Sequence, residues 1–226
     1  MKEFTRHPAK FSDNLIPAIA DNLCKYVVAH KDTPPIVLDP FAGTGKIAEL
    51  KSFTPCYVVA NEIEPEWSCQ CIDKGCDEVY TEDAQFLTLS YKVDAIVTSP
   101  TYGNRMADHH NTKDNSKRNT YTHCIGRQLT DGNTGKMQFG EQYKMKHIAV
   151  YENLLQYLAP QGIFILNVSN FIRKGEEVDV VSFHTDALIS LGLQWWDDTV
   201  VQTHRLTYGA NRDKRVSGEH ILVFKR

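Results

Sequence analysis

The 226-residue sequence contains no hydrophobic run long enough to cross a bilayer, and no apolar stretch follows its basic amino-terminal residues as a secretory signal requires. A cytoplasmic chain in a reducing setting, without a membrane partner, is expected. An excess of one charge is missing too. Lys+Arg 25 against Asp+Glu 28 leave a formal net charge of -3, which gives no global signature of nucleic-acid binding and moves that question to local patches. Cysteine is sparse and irregular: Cys24, Cys56, Cys69, Cys71, Cys76 and Cys124 lack the paired two-residue spacing of a zinc knuckle. Free thiols and no metal are expected. Neither the lysine-bearing P-loop nor the dinucleotide pattern G-x-G-x-x-G occurs, and no internal repeat is present.

What is present is an alternation of strand-like and helix-like segments, the sign of a parallel sheet covered by helices on both faces. The length and the 42% hydrophobic content suit one well-buried domain over residues 1–226. Ile36 to Asp39 reads as a buried strand running into a glycine turn, with a helix from Lys46 to Leu50. Cys56 to Glu62 reads as the second strand, and Pro65 opens the next helix because proline is tolerated in a first turn. Val79 to Thr81, Ala95 to Thr98 and Gly162 to Val168 are further strands, with helices over Tyr151 to Leu158 and Val181 to Leu191. Before them, Asn14 is placed to cap an amphipathic helix that carries Leu15, Ile19 and Leu23 on one face. Leu193 to Gln202 and His220 to Phe224 are strand-like with no helix pattern between them, which predicts a terminal antiparallel hairpin and seven strands in all.

Residues 103–146 are rich in Asn, Asp, Thr, Gly, His and Lys, carry eight Lys/Arg against four Asp/Glu, and show no regular pattern. A loop of that length is functional or a flexible solubilising segment. Its cations Arg105, Lys113, Lys117 and Arg118 suit phosphate contacts, and its Asn and Gln side chains suit base edges. His109, His110 and His123 have no carboxylate or cysteine at ligand spacing, so solvated or phosphate-contacting side chains are expected there.

Two strings carry the chemistry. In Asp39-Pro40-Phe41-Ala42-Gly43-Thr44-Gly45, the glycines allow close backbone approach to a ligand and Asp39 offers a carboxylate to an ammonium group. Glu62, at the next strand end, can accept hydrogen bonds from two ribose hydroxyls; Ile63, with Trp67, can cover an adenine face, and Asp83 can accept from an adenine amino group. Ammonium, ribose and adenine together describe S-adenosyl-L-methionine. The second string is Ser99-Pro100-Thr101-Tyr102. By itself it is an ordinary turn. At the end of the fourth strand, its Ser99 hydroxyl and Pro100 carbonyl can hold the N–H groups of an exocyclic amine, orient the nitrogen lone pair and stabilise the charge that develops on it. Tyr102 can stack on a flat nitrogenous ring.

In this order, Asp39 to Gly45, Asn61-Glu62, Asp83 and Ser99 to Tyr102 resemble the motifs of the S-adenosylmethionine-dependent DNA amino-methyltransferases, and His7-Pro8-Ala9-Lys10-Phe11 looks like their amino-terminal cofactor motif. The resemblance implies the class I methyltransferase fold, a Rossmann-like sheet with the cofactor over the carboxyl ends of the first two strands, held by His7, Phe11, Asp39, Phe41, Gly43, Thr44, Gly45, Glu62, Ile63, Asp83 and Ser99. It implies DNA as partner, Ser99, Pro100 and Tyr102 as catalytic residues, and a substrate wall that includes Thr101, Arg205 and Tyr208. Ser99 tilts the target to N4 of cytosine over N6 of adenine. The family's second motif proline is replaced here by Thr101, which removes part of the turn's stiffness. With no separate recognition domain, specificity is expected from the insertion 103–146, from a dimer, or to be low. RNA or a protein amide as acceptor, and a cofactor-binding module without catalysis, are the alternatives.

Overall fold

The computed structural model of the chain describes residues 5, 7, 14–27, 33–103, 120–202, 216 and 218–226. Among these, α1 (Leu15–Tyr26) precedes β1 (Ile36–Asp39), a 3-10 helix (Lys46–Ser52), β2 (Tyr57–Asn61), α2 (Pro65–Asp73), β3 (Glu78–Tyr80) and β4 (Val93–Thr98). Then come α3 (Tyr121–Ile125), α4 (Glu141–Leu155), β5 (Leu158–Val168), β6 (Phe171–Arg173), β7 (Glu176–Val178), α5 (Val180–Ser190), β8 (Gln194–Gln202) and β9 (Gly218–Lys225). Seven strands form one sheet in the order β3-β2-β1-β4-β5-β9-β8. Only β9 runs against its neighbours, inserted antiparallel between β5 and β8.

Side-chain alternation along the strands divides the core in two. Val37, Val58, Ala60, Ala95, Val97, Ile163, Ile165, Ile221 and Val223 pack with α1, the 3-10 helix and α2. Leu38, Val59, Ile96, Phe164, Leu166, Leu222 and Phe224 pack with α4 and α5 on the other face. A sheet buried on both faces must read as nearly continuous apolar strands, as these do. Because β1, β2 and β4 are parallel, their carboxyl ends meet at one rim, and the strand order turns back between β1 and β4. Ligands bind at such a crevice in open α/β sheets.

Several local expectations are corrected. Asn14 stands before α1 with helical dihedrals (φ -82, ψ -13) and makes no side-chain cap; a cap needs extended backbone to turn the side chain onto the first free N–H groups. The segment after Gly45 is a 3-10 helix, whose three-residue turn aligns Ile47 with Leu50, both buried. A small β6–β7 hairpin adds a second sheet. The largest difference lies in residues 120–146, which are not irregular. Tyr121, Leu129, Asn133, Thr134 and Tyr143 are buried there, and α4 begins at Glu141, ten residues before the predicted start. Its buried positions Tyr143, His147, Val150, Tyr151 and Leu154 keep helical spacing, but two of the first three are polar-tipped residues whose burial depends on tertiary partners.

Among the described residues no helix is long and apolar enough to cross a membrane. All six cysteines are free, with Cys69 exposed and Cys71 and Cys76 buried.

Candidate active site

A cavity of about 460 Å³ lies on the strand rim and is lined both by the glycine turn and by the 99–102 tetrapeptide. Each string reaches it at the end of its strand.

Behind the first wall, Asp39 at the end of β1 is fully buried and does not line the cavity; its Oδ1 accepts from Phe41 N–H (3.1 Å) and Thr98 Oγ1 (2.9 Å), while Oδ2 has no partner. Burial pushes its pKa up to about 7, against the pull of those two donors. Glu62, at the end of β2, accepts from Glu64 N–H (3.0 Å) and Gly43 N–H (2.9 Å). Burial raises it to about 8 although both donors favour the charged form. Asn61 ties the strand ends together, donating to the carbonyls of Pro40 and Glu82 and accepting from Glu82 N–H.

The two glycines differ in purpose. A Cβ on Gly43 would stand 3.4 Å from the His7 ring, in the cavity wall. One on Gly45 would stand 2.6 Å from Cys71 Cα, so Gly45 (φ +78) admits α2 to the turn and is not needed for ligand approach. The His7 ring meets Trp67 edge-on at 4.4 Å, and Trp67 is buried. Phe41, Thr44 and Ile63 also line the cavity.

Asp83 lines the cavity but its carboxylate is already engaged, since Lys146 Nζ reaches Oδ1 at 2.7 Å and Oδ2 at 2.6 Å. Sequence spacing could not foresee this contact between residues 63 apart. Glu64 is a second acid not singled out in the sequence. It is fully buried, and it receives Thr130 N–H (2.8 Å), Thr130 Oγ1 (2.9 Å), Asn133 Nδ2 (2.7 Å) and the Arg127 guanidinium (2.8 Å). Together Glu64 and Asp83 fasten residues 127–146 over the first wall. The described cations of that segment are all committed to carboxylates: Arg127 to Glu64 and Glu66, Lys136 to Asp131, Lys144 to Glu141, and Lys146 to Asp83.

At the second wall, Ser99 Oγ lies 3.2 Å from Tyr102 Oη, and Asn167 at the end of β5 donates to both. Glu219, at the start of β9, accepts from Tyr102 Oη (3.1 Å) and Asn167 Nδ2 (2.9 Å). Asn167 and Glu219 were missed in the sequence. A polar residue inside the otherwise apolar strand Ile163 to Val168 was the available signal for the first; none marked the second.

Thr101, where a second proline was expected, is held from two sides. Its hydroxyl donates to Thr134 Oγ1 (2.9 Å), and its carbonyl accepts from the Tyr143 hydroxyl. Tyr143 is bonded in turn to His184 Nε2, and Tyr151 to His184 Nδ1. Since the Tyr143 proton goes to Thr101, His184 donates through Nε2 and accepts at Nδ1 from Tyr151. Burial holds His184 well below its ordinary pKa, in the neutral form this chain of bonds requires.

Phe11, Arg105, Lys113, Lys117, Arg118, Arg205 and Tyr208, together with His109 and His110, lie outside the described residues. Among the described residues no group of three or more His, Cys, Asp or Glu side chains could hold a metal ion.

The unpartnered Asp39 Oδ2, behind a glycine turn that itself lines the cavity, fits a cationic ligand with its charge near β1, as an ammonium would supply. The raised pKa values have a measurable consequence. Asp39 and Glu62 keep their protons to higher pH in the folded chain (about 7 and about 8) than their ordinary 3.8 and 4.5, so the ligand-free fold binds more protons than the unfolded chain between those limits. Stability should therefore fall as pH rises from about 4 to about 8, by an amount on the order of a few kcal/mol. Urea unfolding at pH 5.5 and 8.5 checks this. Asp39→Asn should flatten the decline, and an unchanged slope would count against a protonated Asp39.

The chain matches no protein-family model, and none of the curated proteins matches it. Solved structures do resemble it. The N-methyltransferase NodS of Bradyrhizobium japonicum WM9 superposes with a TM-score of 0.55 at 11% identity, over 95% of this chain and 98% of that one. Magnesium protoporphyrin IX methyltransferase (ChlM) of Synechocystis PCC 6803, solved with bound SAM, gives 0.53 at 12% identity over 96% and 86%. The 1,6-didemethyltoxoflavin-N1-methyltransferase of Burkholderia thailandensis gives 0.51 at 16% over 95% and 79%. The chain thus has the class I methyltransferase fold, as expected from its sequence.

Proposed function

We propose that this chain is an enzyme that transfers the methyl group of S-adenosyl-L-methionine to an exocyclic amino nitrogen of a DNA base, with N4 of cytosine favoured over N6 of adenine. The observation that carries the reading is the single cavity lined by both the glycine turn and the 99–102 tetrapeptide. When bound, the cofactor supplies an electrophilic methyl group on a sulfonium sulfur. Asp39 would take its ammonium through the unpartnered Oδ2, and Glu62 its ribose hydroxyls once the carboxylate turns from the glycine backbone. His7, Ile63 and Trp67 would border the adenine, with Asp83 beside them in the wall, its carboxylate held by Lys146.

Ser99 Oγ and the Pro100 carbonyl would accept the N–H groups of the target. That draws the nitrogen lone pair out of conjugation and offsets the positive charge growing on the nitrogen. Thr101, pinned by Tyr143 and Thr134, supplies the stiffness a second proline would have supplied. Arg105, Lys113, Lys117, Arg118, Arg205 and Tyr208 are proposed to face the nucleic acid.

Incubation with methyl-labelled S-adenosylmethionine and separate pools of DNA, RNA, protein and small amino compounds, followed by mass spectrometry of the labelled products, tests the reading. Label in DNA as N4-methylcytosine is expected. A small amino compound is the second reading, favoured because the described cations of residues 127–146 are all neutralised within the fold. Label confined to small molecules, RNA or protein would overturn the DNA assignment.

A further inference from the structure

We propose that Glu219, acting through the Tyr102 hydroxyl, sets the hydrogen-bond polarity of Ser99, and so makes the acceptor pocket select an amino group over a carbonyl oxygen. The inference rests on the amino-transfer reading above.

A serine hydroxyl is ambiguous: it can offer a lone pair to an N–H donor or a hydrogen to a carbonyl. Selecting an amine requires that its hydrogen be directed elsewhere. An ionised carboxylate is acceptor-only. Glu219 Oε2 therefore takes the single phenolic hydrogen of Tyr102 (3.1 Å) and one hydrogen of the Asn167 amide (2.9 Å). Tyr102, its hydrogen spent, can only accept in its 3.2 Å contact with Ser99 Oγ, so Ser99 is the donor there. The second Asn167 hydrogen faces Ser99 Oγ and Tyr102 Oη, both at 3.2 Å. Ser99 thus donates its hydrogen to Tyr102, accepts one from Asn167, and keeps a lone pair for the cavity that it lines.

Asn167 supports the same orientation. It is 1% exposed, and its Oδ1 is buried without a partner. An unsatisfied buried acceptor costs about 1–3 kcal/mol, yet the amide is turned so that both hydrogens enter the cluster. Flipping it would present Oδ1 to Glu219, acceptor against acceptor. Glu219 is therefore a positioning residue, two hydrogen bonds removed from Ser99.

Glu219→Gln tests the assignment, because the glutamine amide can donate to Tyr102, which then donates to Ser99 and reverses the series. Equilibrium titration with 2′-deoxycytidine (amino) and 2′-deoxyuridine (carbonyl), with S-adenosylhomocysteine present, reads the polarity directly. The ratio of affinities, cytidine over uridine, is expected to fall at least fivefold, while S-adenosylhomocysteine binding stays within twofold. A purely structural role would weaken both nucleosides alike and leave their ratio unchanged, which overturns the proposal. Should Glu219→Gln not fold, Tyr102→Phe keeps the ring but removes the hydroxyl. It should lower the same ratio at least threefold, and an unchanged ratio again overturns the proposal. In a transfer assay, a wild-type chain active on amino groups beside an equally active Glu219→Gln variant overturns the polarity assignment alone; a wild-type chain inactive on every amino acceptor overturns both.

Discussion

Ser99→Ala is expected to lower methyl transfer by about 10²-fold or more while S-adenosylmethionine binding stays within about twofold. The hydroxyl stands 3.2 Å from both Tyr102 Oη and Asn167 Nδ2, at the second wall of the cavity, and among the described residues it shares no hydrogen bond with Asp39, Glu62 or the glycine turn. Its loss removes an acceptor needed when charge develops on the target nitrogen, an interaction stronger in the transition state than in the ground state. Glu62→Ala should divide the effects the other way. Removing a buried carboxyl group that accepts from the backbone of Gly43 and Glu64 is expected to weaken cofactor binding by about 10- to 100-fold, the scale of leaving buried donors without their acceptor. Calorimetric titration beside single-turnover transfer measures both. If Ser99→Ala loses cofactor binding and Glu62→Ala keeps it, the two walls have been assigned the wrong way round.

Glu64→Ala is expected to destabilise the fold by about 3 kcal/mol, the lower end for breaking a buried ion pair, since the Arg127 side chain remains 37% exposed and can turn to water. The Thr130 N–H and the Asn133 amide cannot, and both lose their acceptor. The loss should concentrate in residues 127–136, which Glu64 anchors to the start of α2. Urea unfolding gives the magnitude, and limited proteolysis gives the location: new cleavage is expected between Arg127 and Lys136. A variant within 1 kcal/mol of wild type and equally resistant to protease would mean that Leu129 and Tyr121, packed with Trp67, hold the segment unaided.

Legibility from sequence followed the range of the interactions. Strands β1, β2, β4 and β5 were readable because a strand buried on both faces is apolar throughout, whatever its neighbours. The glycine turn and the acids at 39 and 62 were readable because strand ends place residues on the rim by local geometry alone. Residues 120–146 were not. Their order depends on Glu64, Asp83 and Trp67, which lie more than 50 residues in the chain from Arg127, Lys146 and Tyr121 respectively, the residues they meet there, and on four cations neutralised across such distances or within the segment. A polar composition reads as loop when its partners are out of sight.

The same division separates what the sequence determined from what the tertiary structure alone decided. Alternating apolar segments determined an α/β sheet, and the two strings with Glu62 determined the residue types available to a cofactor and to an amine. Pairing in space decided the rest: Lys146 occupies Asp83, Gly45 serves the packing of α2, Thr101 is stiffened by Tyr143 and Thr134, and Asn167 with Glu219 surrounds Ser99. The reason is physical. Backbone periodicity is written in neighbours along the chain, whereas whether a buried polar atom is satisfied, and in which direction it donates, depends on side chains brought to within about 3 Å by the whole fold.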